Sequence, residues 1–197
     1  MITYLKGKLA FKDPTQLVVD VNGVGYELKI SLTTFSQVKD KEDILIQTYL
    51  HIKEDAHTLY GFYDQSEKKR FLDLLSINGV GPGIALMILS SLDAKELQSA
   101  IVREDVQTIQ SVKGIGQKTA QRIILELKDK MKKEGLLDKS LQISPHIDNT
   151  LRSEALSALT TLGINKSIAE KTVDTILKEY GEKIKIEELI KQALKRS

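Results

Sequence analysis

The stretch Ser76-Ile77-Asn78-Gly79-Val80-Gly81 decides the fold, because it returns as Ser111-Val112-Lys113-Gly114-Ile115-Gly116 at an offset of 35 residues. The match runs past the glycines: Ala85 pairs with Ala120, Ile88 with Ile123, and Leu74 with Ile109 ahead of each motif. Self-similarity at a fixed spacing indicates two copies of one supersecondary unit. The flanking apolar residues keep helical spacing, with Phe71, Leu74 and Leu75 on one face and Leu86, Leu89 and Leu92 on the next. A helix on either side of each glycine turn makes the pair a tandem helix-hairpin-helix.

Glycine permits backbone conformations closed to other residues and leaves the main-chain N–H groups uncovered, so an anion can approach them directly. Each turn also opens a helix, whose N-terminus carries partial positive charge and unpaired donors. A lone Gly-x-Gly is more often only a cap and a turn; two copies in register point to phosphate binding at neighbouring backbone positions. Gly79, Val80, Gly81 and Gly114, Ile115, Gly116 are the expected contacts. Lys118 and Arg122 are expected on the exposed side of the second helix, and Val80 and Ile115 are expected to tuck inward. Nucleotide-binding readings fail on spacing: Gly116-Gln117-Lys118-Thr119 breaks the Gly-Lys adjacency of a P-loop, and Thr119 stands where a dinucleotide fingerprint needs its third glycine.

Working outward, Thr3 to Phe11, Leu17 to Val21, Tyr26 to Ile30, Ile44 to Ile52 and Thr58 to Phe62 read as strands, with Asn22-Gly23 as a hairpin signal. Five short strands suit a barrel of the oligonucleotide-binding (OB) type over residues 1–62. The tandem hairpins occupy 63–134. From 135 to 149 the apolar rhythm fades and Gly135, Ser140, Ser144 and Pro145 appear, which reads as a flexible linker. Residues 150–197 read as a three-helix bundle, Leu151 to Leu162, Ser167 to Glu179 and Ile186 to Lys195. Gly163 is its first C-terminal cap, and Ser167-x-x-Glu170 is a capping box. The fold class is α+β and multidomain.

The 197 residues are 41% hydrophobic and 28% charged, with no run of about 18 apolar residues to span a membrane. The first residues lack an export signal, and with no cysteine there is no disulfide framework or thiolate metal site; a cytoplasmic location is expected. A net charge of +2 is too mild to identify a nucleic-acid binder, but Lys113, Lys118, Arg122, Lys128, Lys130, Lys132 and Lys133 face only Glu126 and Asp129 in one run. His51, His57 and His146 are scattered without ligand spacing, and no catalytic triad order stands out. No metal, cofactor or catalytic residue is therefore expected.

The order of parts resembles the RuvA family of Holliday-junction branch-migration subunits along nearly the whole chain. The resemblance rests on Asn22-Gly23-Val24-Gly25-Tyr26-Glu27, on Lys53-Glu54-Asp55-Ala56 with Leu59-Tyr60-Gly61-Phe62, on both hairpins, and on Ala158-Leu159-x-x-Leu162-Gly163. It implies a non-catalytic homotetramer that grips four-way junction DNA in recombination and repair, beside an ATP-driven motor, RuvB, and a junction resolvase. The DNA contacts it implies are the six hairpin residues with Lys118, Thr119 and Arg122. It implies that Glu54 and Asp55 form an acidic pin near the junction centre, where negative charge repels intact duplex. It implies that Leu159, Leu162, Ile164 and Leu194 form the motor-contacting surface. Two departures weaken the charge: Gly83 and Gln117 stand where members can carry lysines, leaving more of the binding to backbone donors and Lys118.

Two other classes share these features. A repair glycosylase or nuclease with a helix-hairpin-helix would need a catalytic lysine, carboxylate pair or metal set, and none stands out. A general oligonucleotide binder using its barrel face would need exposed aromatics for stacking, against an aromatic content of 5%.

Overall fold

Alternation of apolar and polar residues closes the first sixty residues into a barrel. Its strands are β1 (Tyr4–Lys12), β2 (Gln16–Val21), β3 (Val24–Ile30), β4 (Asp43–Ile52) and β5 (His57–Phe62) in a computed structural model. That structure describes residues 1–143, 147–180 and 184–196, with the backbone alone for 133–143 and 147–150. The strand order is β1-β2-β3-β5-β4 with β4 returning to β1, and only β3 and β5 run parallel. Leu5, Leu17, Val19, Leu28, Ile30, Ile44 and Ile46 fill the interior, as the two-residue period of a strand dictates. Asn22 and Gly23 take φ of 53° and 87°, the pair of positive values that a two-residue hairpin needs, and the Gly23 N–H donates to the Asp20 carboxylate at 2.7 Å.

Helix α1 (Leu32–Val38) is absent from the sequence reading: seven residues show little period, and its cap is the single Ser31, which accepts from the Thr34 N–H at 3.0 Å.

Next come α2 (Gln65–Leu75), α3 (Pro82–Ser91), α4 (Ala94–Val102), α5 (Val106–Gln110) and α6 (Gln117–Ile143). Side chains start three of them: Asp64 caps α2, Asp93 forms a reciprocal capping box with Glu96 on α4, and Asp105 caps α5. The helical core holds Phe71, Leu74, Ile88, Leu89, Leu97, Ile101, Ile109 and Ile123, and it takes in Tyr60 and Phe62 from the barrel. Phe62 and Phe71 lie 4.8 Å apart between centroids. Because the two share apolar packing, the expected domains 1–62 and 63–134 fall within one compact unit, Met1–Leu136.

A buried polar cluster adds a second tie. Glu67 on α2 accepts hydrogen bonds from the Ser31 and Thr34 hydroxyls, the latter at 2.6 Å, and the Tyr63 N–H donates to the Thr34 hydroxyl at 3.0 Å. Burial holds the Glu67 carboxyl above the ordinary glutamate range, against the opposing pull of the two hydroxyl donors. Leaving such a group buried without its partners costs about 1–3 kcal/mol or more.

Within the described residues the expected linker is helical. Helix α6 runs on through Gly135 to Ile143, because one glycine costs only about 1 kcal/mol and its lysine, glutamate and leucine neighbours are good helix formers. Ser144 and Pro145, which also mark the expected linker, lie outside the described residues, as does His146 of the three scattered histidines.

The second unit, Leu137–Ser197, contains α7 (Ile147–Thr161), α8 (Lys166–Tyr180) and α9 (Ile186–Arg196) around Ala155, Leu159, Ala169, Val173, Ile176, Leu189 and Ala193. Gly163 ends α7 as expected, at φ 92°, with its N–H on the Thr160 carbonyl and the Ile164 N–H on that of Leu159. The cap of α8 differs from the expected Ser167 box. The helix begins one residue earlier, and the Asn165 side chain takes the Ser167 N–H at 3.0 Å. Arg152 holds Asp174 with two hydrogen bonds, at 2.5 and 2.9 Å, between α7 and α8. Among the described residues no helix is long and apolar enough to cross a membrane.

Candidate nucleic-acid interface

The two glycine turns have the same backbone wiring. In the first, the Ile77 N–H donates to Leu74, Val80 to Ile77 and Ala85 to Gly81; in the second, Val112 donates to Ile109, Ile115 to Val112 and Ala120 to Gly116. Gly79 and Gly114 adopt φ of 91° and 88°, the left-handed region where a β-carbon is strained. Val80 and Ile115 are buried at 5% exposure each, as expected, and their burial turns the flanking glycines outward.

This wiring leaves donors unused. Among the described residues no hydrogen bond is donated by the N–H groups of Gly79, Gly81, Gly83 and Ile84, or by those of Gly114, Gly116, Gln117, Lys118 and Thr119. Each set sits at a turn and the helix start that follows it, where the helix dipole is positive. The arrangement can hold an anionic oxygen on each turn without touching a base.

The copies also grip each other. Arg122 on α6 donates from Nη1 to the Asn78 carbonyl in the first turn at 3.0 Å, while the Met87 methyl of α3 lies 3.8 Å from where a β-carbon on Gly114 would stand. By the 35-residue offset Met87 is the counterpart of Arg122, so equivalent positions cross from each helix to the other copy's turn. Lys118 is exposed and Thr119 half-buried at the start of α6. All nine expected contact residues therefore lie on the two turns or the first turns of the helix after the second. The 35-residue offset pairs Gly83 with Lys118 and Met87 with Arg122, a signal present in the sequence for both positions.

Not all of the basic run is available. Lys130 pairs with buried Asp73 at 2.5 Å, and Lys128 pairs with Glu104, which pushes the lysine up and the carboxyl down through that hydrogen bond. The side chain of Lys133 lies outside the described residues. Lys113, Lys118 and Arg122 stand nearest the turns in sequence.

Glu54 and Asp55 are exposed at the tip of the β4–β5 hairpin, closed by the Lys53 N–H on the Ala56 carbonyl at 2.8 Å. The hairpin's base is braced against the helical core: Tyr49 and Tyr60 sit 5.6 and 5.2 Å from Phe71 between centroids. His51 lies beside Tyr49 and Tyr60, at 6.3 and 6.5 Å between ring centroids, and His57 pairs with Ile52 at the start of β5. Among the described residues no cluster of three or more ligand-type side chains could hold a metal.

In the second unit the four expected surface residues separate. Leu159 has 0% exposure and is a core residue, which corrects its expected place on a contact surface. The cause is the cap, since the Ile164 N–H on the Leu159 carbonyl brings those two residues together over the core, leaving Ile164 half-buried. Leu162 and Leu194 remain exposed at 60% and 43%.

Comparison with known proteins agrees with this architecture. Residues 1–61 match the RuvA N terminal domain, 71–129 a SAM-like helix-hairpin-helix tandem, and 150–197 the RuvA C-terminal domain. Proteins named Holliday junction branch migration complex subunit RuvA are similar along their whole length. The one from Cytophaga hutchinsonii is 61% identical over 100% of both chains. That from Amoebophilus asiaticus is 55% identical over 99% of this chain and 100% of its own, and that from Christiangramia forsetii 52% over 100% of both. The barrel, the paired hairpins and the helical C-terminal unit are thus those of the RuvA family of Holliday junction branch migration complex subunits, to which this chain belongs.

Proposed function

We propose that this chain is the non-catalytic DNA-gripping subunit of a branch-migration complex, binding four-way junctions as a homotetramer in the cytoplasm. The observation that carries the reading is the pair of glycine turns with matching backbone hydrogen bonds and unused main-chain donors at Gly79, Gly81, Gly114 and Gly116. Such donors take phosphate oxygens whatever the base sequence, which suits a protein that must hold a junction while its arms slide. Lys118, Thr119 and Arg122 add side-chain contacts on the second turn. An ATP-driven motor of the RuvB kind acts on the arms, and a junction resolvase is a further partner. Leu162 and Leu194, with the exposed edge of Ile164, form the motor-contacting surface of residues 150–197.

Glu54 and Asp55 act as the pin. Two carboxylates at the tip of a braced hairpin repel the phosphates of an uninterrupted duplex more than those of an open junction centre. Titrating a four-way junction and a plain duplex of equal length, without metal or ATP, tests both parts. Strong preference for the junction without cleavage is expected. Glu54→Gln with Asp55→Asn raises duplex affinity relative to junction; an unchanged ratio rejects the pin, and equal affinity of the unaltered protein for both DNAs rejects the function.

A further inference from the structure

The internal repeat is unequal in one respect. The second copy carries Lys118 and Arg122 on its helix, and their counterparts in the first copy, Gly83 and Met87, are uncharged. Both line a groove of about 360 Å³ between α3 and the barrel, with Thr15, Gln16, Lys29 and Ser90 also on its wall. Lys29 is the sole charged residue among those lining the groove, and it comes from β3. It is exposed and makes no ion pair or side-chain hydrogen bond among the described residues, whereas Lys128 and Lys130 are both paired.

The groove's walls are held in place. The Thr33 hydroxyl donates to the Leu89 carbonyl at 2.6 Å and the Leu32 N–H to the Ser90 hydroxyl at 3.1 Å, fixing α3 against α1, the helix that follows β3. Lys29 itself sits mid-sheet, opposite Gln16 on β2 and Tyr60 on β5. A β-carbon added at Gly83 would meet nothing within 4 Å, so the groove stands open at that point to a strand lying on the first turn.

We propose that Lys29 is a DNA-contacting residue: from the barrel it supplies the first hairpin with the phosphate-binding cation that Gly83 and Met87 lack. The inference rests on the function proposed above and extends the DNA path from the hairpins onto the barrel wall. Its occupant is the sugar-phosphate strand that leaves the Gly79 turn, since a lysine in a groove free of acidic residues favours an anion and gives no base readout.

Binding of a fluorescent four-way junction across a salt series tests it. Lys29→Gln is expected to weaken binding about three- to tenfold and to lower the log–log salt slope by about 1, as loss of one phosphate contact does. Adding Gly83→Lys to that variant is expected to recover most of the loss, because it puts a cation on the other wall of the same groove. An unchanged affinity and slope in Lys29→Gln, or a loss that Gly83→Lys leaves unrepaired, overturns the proposal. A Gly114→Val variant run alongside separates the two levels. If it weakens binding about tenfold or more while Lys29→Gln does nothing, only the Lys29 contact fails; if neither variant affects binding, the hairpin reading fails with it.

Discussion

The two hairpins share a backbone but differ in how they are supported and charged. The first is keyed to the barrel: α2 through the buried Glu67 cluster, α3 through Thr33, Leu32 and Ser90. The second is keyed to the first by Arg122, whose guanidinium lies on the Asn78 carbonyl of the first turn, and it carries Lys118 at its own helix start. The two copies therefore share the part that needs a fixed backbone and differ in the charges around it. At φ near 90° a residue with a β-carbon is strained, whereas a cation can come from any element within reach.

The largest effect is expected at the glycines that both turns share. Replacing Gly79 and Gly114 together by valine strains two left-handed positions and covers the donors. Junction affinity is expected to fall on the order of 100-fold or more, as loss of two hydrogen bonds to charged acceptors at about 1.5–3 kcal/mol each implies. Each single variant is expected to lose a similar share, measured by titration with circular dichroism as a folding control; a loss confined to one copy would show that only one turn touches DNA.

The difference in charge gives a smaller effect. Lys118→Gln with Arg122→Gln is expected to weaken binding about tenfold and to reduce the salt slope by roughly 2, whereas Met87→Gln at the equivalent site leaves the slope unchanged. Equal effects on both copies would remove the asymmetry on which the comparison stands.

The smallest effect concerns the barrel's hold on the first hairpin. Because burial raises the Glu67 carboxyl, the folded state keeps its proton to higher pH than the unfolded chain. The resulting stability is fully present below the ordinary glutamate value and is lost as pH rises through the raised one. Melting temperature is expected to fall by a few degrees across that window in the unaltered protein and to lose this component in Glu67→Gln. An identical pH profile in the two proteins would show that Glu67 does not titrate there.

Much of this was legible in the chain because it is written in local rules. The barrel strands follow alternation, the Asn22-Gly23 turn follows its φ requirement, and the hairpins follow their repeat. Elements held by contacts distant in sequence were harder to read. Helix α1 is short and draws support from Glu67, more than thirty residues away, so neither period nor composition marks it. Gly135 and Ser140 read locally as breakers of residues 135–143, whereas a helix already propagating from Gln117 tolerates both. Leu159 and Leu162 lie three residues apart in one motif, and the cap at Gly163 puts one in the core and the other outside.

By itself the sequence determined the repeated backbone turn, since a glycine forced to positive φ and an apolar anchor beside it are requirements of single residues and their neighbours. Tertiary structure alone decided which charges stand beside that turn. Lys128 and Lys130, close to the second hairpin in sequence, are consumed by Glu104 and Asp73, while Lys29, some fifty residues before the first, lines the groove at Gly83. Charges act through space over a few ångströms, and only the folded chain sets those distances.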